Sequence, residues 1–282
     1  MIPLKKYFNF FAKKKKYILL DYKKDKEIIL NELSNESILA IDTEFDWRNT
    51  YYPILSLIQI ATSKKILIID VLNAENFKDL KNLIEKCKMI IFHAVRSDAT
   101  VLSASLGLKV ENVFDIQIAQ NLISKKINQN YAAIVNQYFP IKLKKSQTNS
   151  NWLKRPLTKT QIDYAVDDVR YLIQIYEEQK KLLQQKLSMA LELSKKEAML
   201  GNLELHISRL AKFNLRDDYA RKIFMWRENY ASKKNVPTSY ILKNNQIKKI
   251  ANIYNFEKDY SKIEKIINNK VLAEDLFKHL IK

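Results

Sequence analysis

Short apolar runs dominate the first half of the chain, and helical spacing takes over in the second. Residues 17–21 predict a strand, a helix follows over about 26–33, and 37–42 reads as a buried strand. Two further apolar runs at 55–61 and 65–70 follow at short spacing, which predicts an antiparallel meander. Over 74–86, Phe77, Leu80, Leu83 and Ile84 fall on one helical face. Two strand-then-helix pairs come next: 89–93 into 98–106, and 113–115 into 116–123. A meander followed by alternating helices and strands predicts an α/β domain with a mixed central sheet. Thr158-Lys-Thr-Gln161 is a capping-box pattern that starts a helix just after Thr158, with Ile162, Val166, Val169, Ile173 and Tyr176 as its core stripe. Beyond Tyr176 strand signals nearly vanish, and over 215–282 apolar residues recur at helical spacing. A boundary near 195–210 and a small all-α second domain are expected. The organisation is therefore a lysine-rich extension at 1–16, an α/β domain at 17–200 and a helical domain at 205–282.

Composition narrows the field without deciding it. With 282 residues and 47% hydrophobic content, a buried core is expected and disorder is not. A formal charge of +18 points to a polyanionic partner, and the arm ending in Lys13 to Lys16 could lie on phosphate or simply be solvated. Two glycines and heavy use of Lys, Ile and Asn are also the imprint of an AT-rich genome, so charge alone does not establish nucleic-acid binding. The lone Cys87 excludes an internal disulfide and cysteine-based zinc or iron–sulfur chemistry. No segment approaches the roughly 18 apolar residues of a membrane span. A soluble, cytoplasmic protein is expected.

The candidate chemistry lies in carboxylates. Asp42 and Glu44 are two apart at the exit of a predicted strand, so a period of two turns both to one face and Thr43 to the other. Taken alone, such a pair is also common at a strand-to-loop turn. Tyr164 and Asp168 are four apart on the helix after Thr158, stacked on one flank. Asp167 is rotated about 100° away, and with Asp163 it reads as a solvated acidic face. Asp98 follows a strand and opens a helix, a position that also suits a plain N-cap, and Asp115 repeats that placement as a cap. His93 reads as structural or as a substrate contact. Carboxylates gathered from distant segments repel unless a cation sits among them. With three histidines and one cysteine available, the fitting cation is a hard, oxygen-loving Mg²⁺ or Mn²⁺.

In order and context these motifs resemble the ribonuclease D family of 3′-to-5′ exonucleases. Asp42 through Pro53, running into Leu57-Ile-Gln-Ile60, resembles the family's first motif and the following strand. His93–Asp98 with Leu102 resembles the second motif, and Phe114–Ala119 the next segment. Lys145-Ser-Gln147, Trp152, Arg155-Pro-Leu157 and Gln161 resemble the approach to the third motif. Tyr164-Ala165, Asp168-Val169 and Tyr171-Leu172 match that motif itself. The likeness covers about 17–182, with one departure: Asn151 stands where many members carry aspartate. More weakly, Trp226-Arg227, Ala231, Asn235-Val-Pro237, Ile241, Ile247 and Ile250-Ala251 resemble a helicase-and-ribonuclease-D C-terminal (HRDC) domain.

The resemblance implies a ribonuclease H-like exonuclease fold, two divalent metal ions (Mg²⁺ or Mn²⁺), and stepwise release of 5′-mononucleotides from RNA 3′ ends. It implies that Asp42 bridges both ions, that Glu44 and Asp168 complete one, and that Asp98 supports the other. Tyr164 would orient or deprotonate the attacking water. The family's histidine subclass is excluded because that position here is Asp163. RNA is the implied partner, with the 3′ trailers of precursor tRNA as target and no obligate protein partner. A DNA exonuclease of the same fold, a non-catalytic RNA-binding protein and an RNA-decay factor are the competing readings.

Overall fold

In the computed structural model, residues 15–143, 147, 149–213 and 215–281 are described. The first fourteen residues of the basic arm, and Lys145 and Ser146 of the approach to the third motif, lie outside the described residues. Two compact units emerge. One takes in the chain up to Asp46 and Ile54–Leu203, the other Trp47–Pro53 and Glu204–Lys282.

The first unit is built on a six-stranded sheet. Its strands are β1 (Lys16–Asp21), β2 (Ile38–Asp46), β3 (Ile54–Ala61), β4 (Lys65–Asp70), β5 (Met89–Phe92) and β6 (Val113–Asp115), in the order β1-β4-β3-β2-β5-β6. The pairs β2–β3 and β3–β4 are antiparallel, whereas β1–β4, β2–β5 and β5–β6 are parallel. The expected meander is thus the middle of a mixed sheet. Helices α1 (Tyr22–Leu33), α2 (Lys78–Glu85), α3 (Arg96–Leu106), α4 (Ile116–Ser124), α5 (Tyr131–Tyr138), α6 (Lys159–Arg170), α7 (Leu172–Leu183) and α8 (Leu187–Asn202) complete the unit. Alternate strand residues feed two cores: Leu39, Ile41, Ile58 and Ile60 enter one, Ala40, Leu57, Ile66 and Ile68 the other. Burial on both faces explains why these strands read as unbroken apolar runs.

Three local departures from the sequence pattern bear on the site. The strand read as ending at Asp42 continues to Asp46, with a register shift against β3 between Glu44 and Phe45. That extra length keeps both carboxylates within regular strand before the bulge bends the chain. Helix α5 falls in a stretch to which the pattern assigned no element. The helix starting at Thr158 does not run through its whole apolar stripe but breaks at Tyr171 into α6 and α7.

Helix α3 is held by both glycines of the chain. Gly107 ends it in the left-handed region at φ +62°, returning its N–H to Leu102 and Ser103 carbonyls. Gly201 of α8 meets it so closely that a Cβ there would sit 2.6 Å from the Arg96 carbonyl oxygen and 2.7 Å from the Ala99 Cβ.

The second unit comprises α9 (Leu205–Phe213), α10 (Asp218–Lys234), α11 (Thr238–Ile241), α12 (Asn244–Phe256), α13 (Tyr260–Ile267) and α14 (Lys270–Ile281). Ile223, Phe224, Ile247, Ile250, Ile263 and Leu276 form its core. The segment Trp47–Pro53 packs here, although by sequence position it lies inside the first domain. Glu228 explains why. Its Oε2 accepts from the Tyr51 hydroxyl at 3.0 Å and from Arg209 at 2.8 Å, and its Oε1 accepts from Arg227 at 2.8 Å. Arg227 and Glu228 are each 1% exposed, which is tolerable because each charge is paired. Asn235, the left-handed C-cap of α10, accepts the Tyr51 and Tyr52 N–H groups at 3.1 and 3.2 Å. Among the described residues, no helix is long and apolar enough to cross a membrane.

Candidate active site

The site is assembled where β2, the start of α3 and α6 converge in the first unit. Asp42 lies opposite Gln59 and Glu44 opposite Leu57 across the β2–β3 ladder, so both point to the face that α6 covers. Helix α6 is set by the loop before it. Arg155 grips Asp70 of β4 with Nε at 2.5 Å and Nη2 at 2.8 Å, and Ser56 of β3 donates to the Trp152 carbonyl at 2.5 Å. The Thr158–Gln161 capping box then opens the helix, as its sequence pattern predicts.

These constraints bring Asp42, Glu44 and Asp168 together, with one carboxylate oxygen of each within 4.8 Å of the others. All three are half-buried. Tyr164, one turn before Asp168, bonds to its carboxylate through the hydroxyl and packs near Trp152, ring centroids 6.1 Å apart. Asp98 stands outside this triplet. It is buried, and the Thr43 hydroxyl, on the opposite side of β2 from Asp42, donates to its Oδ1 at 2.6 Å. Asp98 nonetheless acts electrostatically on all three carboxylates.

The electrostatics are those of crowded negative charge. Burial first, then Asp98, Asp168 and Glu44, hold the Asp42 carboxyl well above the usual carboxylate range. Burial, with Asp168 and Asp98, pushes Glu44 up to about 9. Asp98 and Asp168 rise to about 7, burial again being the largest cause; the Thr43 and Tyr164 bonds oppose the rise. Among the described residues, no lysine or arginine pairs with Asp42, Glu44 or Asp168. Gln59, directly across from Asp42, is fully buried with neither amide atom hydrogen-bonded. An all-oxygen donor set with no cationic side chain to balance it fits a hard divalent ion.

The remaining candidates fall into supporting places. His93 is outside the triplet, with Nε2 3.1 Å from the Gln129 carbonyl and its ring against Tyr131. Asp167 pairs with Arg170 at 2.9 Å and Asp163 with Lys159 at 2.5 Å, so the acidic face is one of ion pairs rather than free charges. Asp115 caps α4 through the Gln117 and Ile118 N–H groups, as its position suggests. It also accepts from the Ala94 and Val95 N–H groups at 3.1 and 2.8 Å, holding Ala94 at φ +61° in the turn before α3. That second duty, and the Thr43 bond to Asp98, leave no mark in the local sequence.

A family model described as 3′-5′ exonuclease matches residues 17–184. Ribonuclease D of Desulfotalea psychrophila is 36% identical over 150 residues, covering 52% of this chain and 40% of the relative. Ribonuclease D of Xanthomonas oryzae pv. oryzae is 30% identical over 224 residues, covering 76% of this chain and 62% of the relative. The chain thus spans from 40% to 62% of the length of these curated relatives. The crystal structure of Escherichia coli RNase D, an exoribonuclease involved in structured RNA processing, matches with a TM-score of 0.78 at 21% identity, over 94% of this chain and 74% of that one. Likeness at that identity speaks for a shared fold.

Proposed function

This chain belongs to the 3′-5′ exonuclease family, and from that premise we propose that it is a metal-dependent exoribonuclease that removes 5′-mononucleotides from RNA 3′ ends. The observation that carries the reading is the Asp42–Glu44–Asp168 triplet with the Tyr164 hydroxyl on Asp168. Asp42, Glu44 and Asp168 are the residues to hold divalent ions, and Asp98, fixed by Thr43, supplies further negative charge behind them. When bound, a pair of Mg²⁺ or Mn²⁺ ions supplies acidified water for in-line attack at phosphorus and neutralisation of the departing 3′-oxygen. Tyr164 orients the attacking water through its hydroxyl, while Trp152 and the Arg155 clamp keep α6 over the β2 carboxylates. The helical second unit, read as HRDC-like, holds the body of a structured RNA through lysines that contact phosphate without reading sequence. Precursor tRNA in the cytoplasm, its 3′ trailer entering the site, is the substrate that suits both parts.

The test uses the purified 282-residue chain with end-labelled RNA carrying a free 3′-OH, the same RNA with a 3′-phosphate, and a single-stranded DNA of equal length. Stepwise 5′-mononucleotide release from the free RNA end, dependent on Mg²⁺ or Mn²⁺ and stopped by EDTA, is expected. Asp42→Asn should abolish it with RNA binding retained, whereas Asp167→Asn should be nearly silent. DNA degraded as fast as RNA would replace ribonuclease by a general exonuclease, and cleavage indifferent to EDTA would overturn the metal reading.

A further inference from the structure

Helix α6 ends at Arg170 and α7 resumes at Leu172, with Tyr171 between them at φ −104°, ψ −7°. In an unbroken helix the Tyr171 N–H would bond to the Asp167 carbonyl, four residues back. Here the backbone acceptor of the Tyr171 N–H is the Val169 carbonyl. The Tyr131 hydroxyl stands between the two separated groups, donating to the Asp167 carbonyl at 3.1 Å and accepting from the Tyr171 N–H at 3.3 Å. A side-chain hydroxyl has entered the helical ladder, one of the few recognised causes of a sharp helix break. The opening spans the residue that matters most on this helix, because Asp168 lies between Asp167 and Tyr171.

Tyr131 itself is well anchored. It is the first residue of α5, whose N-cap Asn130 accepts the Ala133 N–H at 3.0 Å, and its ring rests against His93 at 5.7 Å between centroids. Neither end of the bridge is a side chain of α6, so the bond acts on the course of the backbone. Without the hydroxyl, the Asp167 carbonyl would lose this donor and the Tyr171 N–H would keep only the Val169 carbonyl, so nothing would hold the ladder open across Asp168.

We propose that Tyr131 is a positioning residue whose hydroxyl, spliced into the α6–α7 ladder, aims the Asp168 carboxylate at Asp42 and Glu44. This rests on the metal-site reading above. Residues that orient a metal ligand without touching the ion commonly cost 10- to 100-fold in affinity when removed. Tyr131→Phe keeps the ring against His93 and deletes only the bridge. The matched control is Tyr138→Phe on the same helix, whose hydroxyl donates to Gln120 Oε1 at 2.7 Å rather than to α6.

The experiment is a calorimetric Mn²⁺ titration of the full chain in three forms: wild type, Tyr131→Phe and Tyr138→Phe. The metal dependence of RNA cleavage is measured in parallel. For Tyr131→Phe, Mn²⁺ affinity about tenfold weaker is expected, with the half-saturating metal concentration for cleavage raised by a similar factor. The rate at saturating metal should recover to near that of wild type, and Tyr138→Phe should bind as wild type does. Equal Mn²⁺ affinity in wild type and Tyr131→Phe overturns the positioning role alone, as does equal loss in both tyrosine variants or a Tyr131→Phe chain that fails to fold. A wild-type chain that takes up no divalent ion overturns the metal-site reading and this proposal with it.

Discussion

At the scale of single residues, the site is a set of acids that cannot all ionise unaided. The unfolded chain releases these protons near about pH 4, whereas the folded chain keeps them on Asp98 and Asp168 to about 7 and on Glu44 to about 9. The folded state therefore binds more protons above pH 4, and its stability falls as pH rises through that window. Lys15, lowered to about 8 by burial, acts in the opposite sense only above that pH. The melting temperature of EDTA-treated protein should thus decline between about pH 5 and 8. Added Mg²⁺ should restore more at pH 8 than at pH 6, because the ion displaces those protons. A metal-free melting temperature that rises with pH over this range would contradict the crowding. For Tyr164, phenylalanine keeps the contact with Trp152 and loses the bond to Asp168. Single-turnover cleavage at saturating metal should slow by roughly 10²–10⁴-fold, the usual range for an acid–base or orienting group; an unchanged rate would make Tyr164 a packing residue. The spacing of Asp42 with Glu44, and of Tyr164 with Asp168, was legible because each pair sits on one element with a fixed period. The bond from Thr43 to Asp98 was not, since nothing local links residues so far apart in the chain.

At the scale of elements, β4 and β6 fall where the apolar pattern puts them, and α6 begins at its capping box, because local signals decide these limits. The end of α6 is a different matter. A tyrosine 36 residues upstream of Asp167 sets it, and the apolar stripe runs on through Tyr171 regardless. Helix α5 has only eight residues and so little periodicity to display. Contact between α3 and α8 is equally silent in sequence except for Gly201 itself. Alanine there would bring Cβ to 2.6 Å from the Arg96 carbonyl oxygen, on a helix whose first turn carries Asp98. Since backbone cannot yield as a flexible side chain can, Gly201→Ala should cost about 1–3 kcal/mol, the range for overpacking a core. Urea unfolding of the metal-free chain would read this, and a change below about 0.5 kcal/mol would mean that α8 shifts freely.

At the scale of the whole molecule, the apolar pattern predicts a boundary near 195–210, and the backbone passes between the two units at 203/204 and also at 46/47 and 53/54. The reason is again long-range: Tyr51 is held by Glu228, Arg209 and Asn235, none of them a neighbour in sequence. Cutting the chain after Leu203 would remove the helices and leave Trp47–Pro53 without the groups that bury it. A nick at that point is a different operation from a deletion. The two fragments of a chain cleaved between Leu203 and Glu204 should elute together in native size-exclusion chromatography and part only in denaturant, with Tyr51→Phe weakening their association. Separate elution of the native fragments would show that the Glu228 cluster holds too little. The loop after β2 thereby makes the helical unit a candidate for fragment complementation, in which two separately expressed pieces reassemble because one carries a short segment of the other's fold.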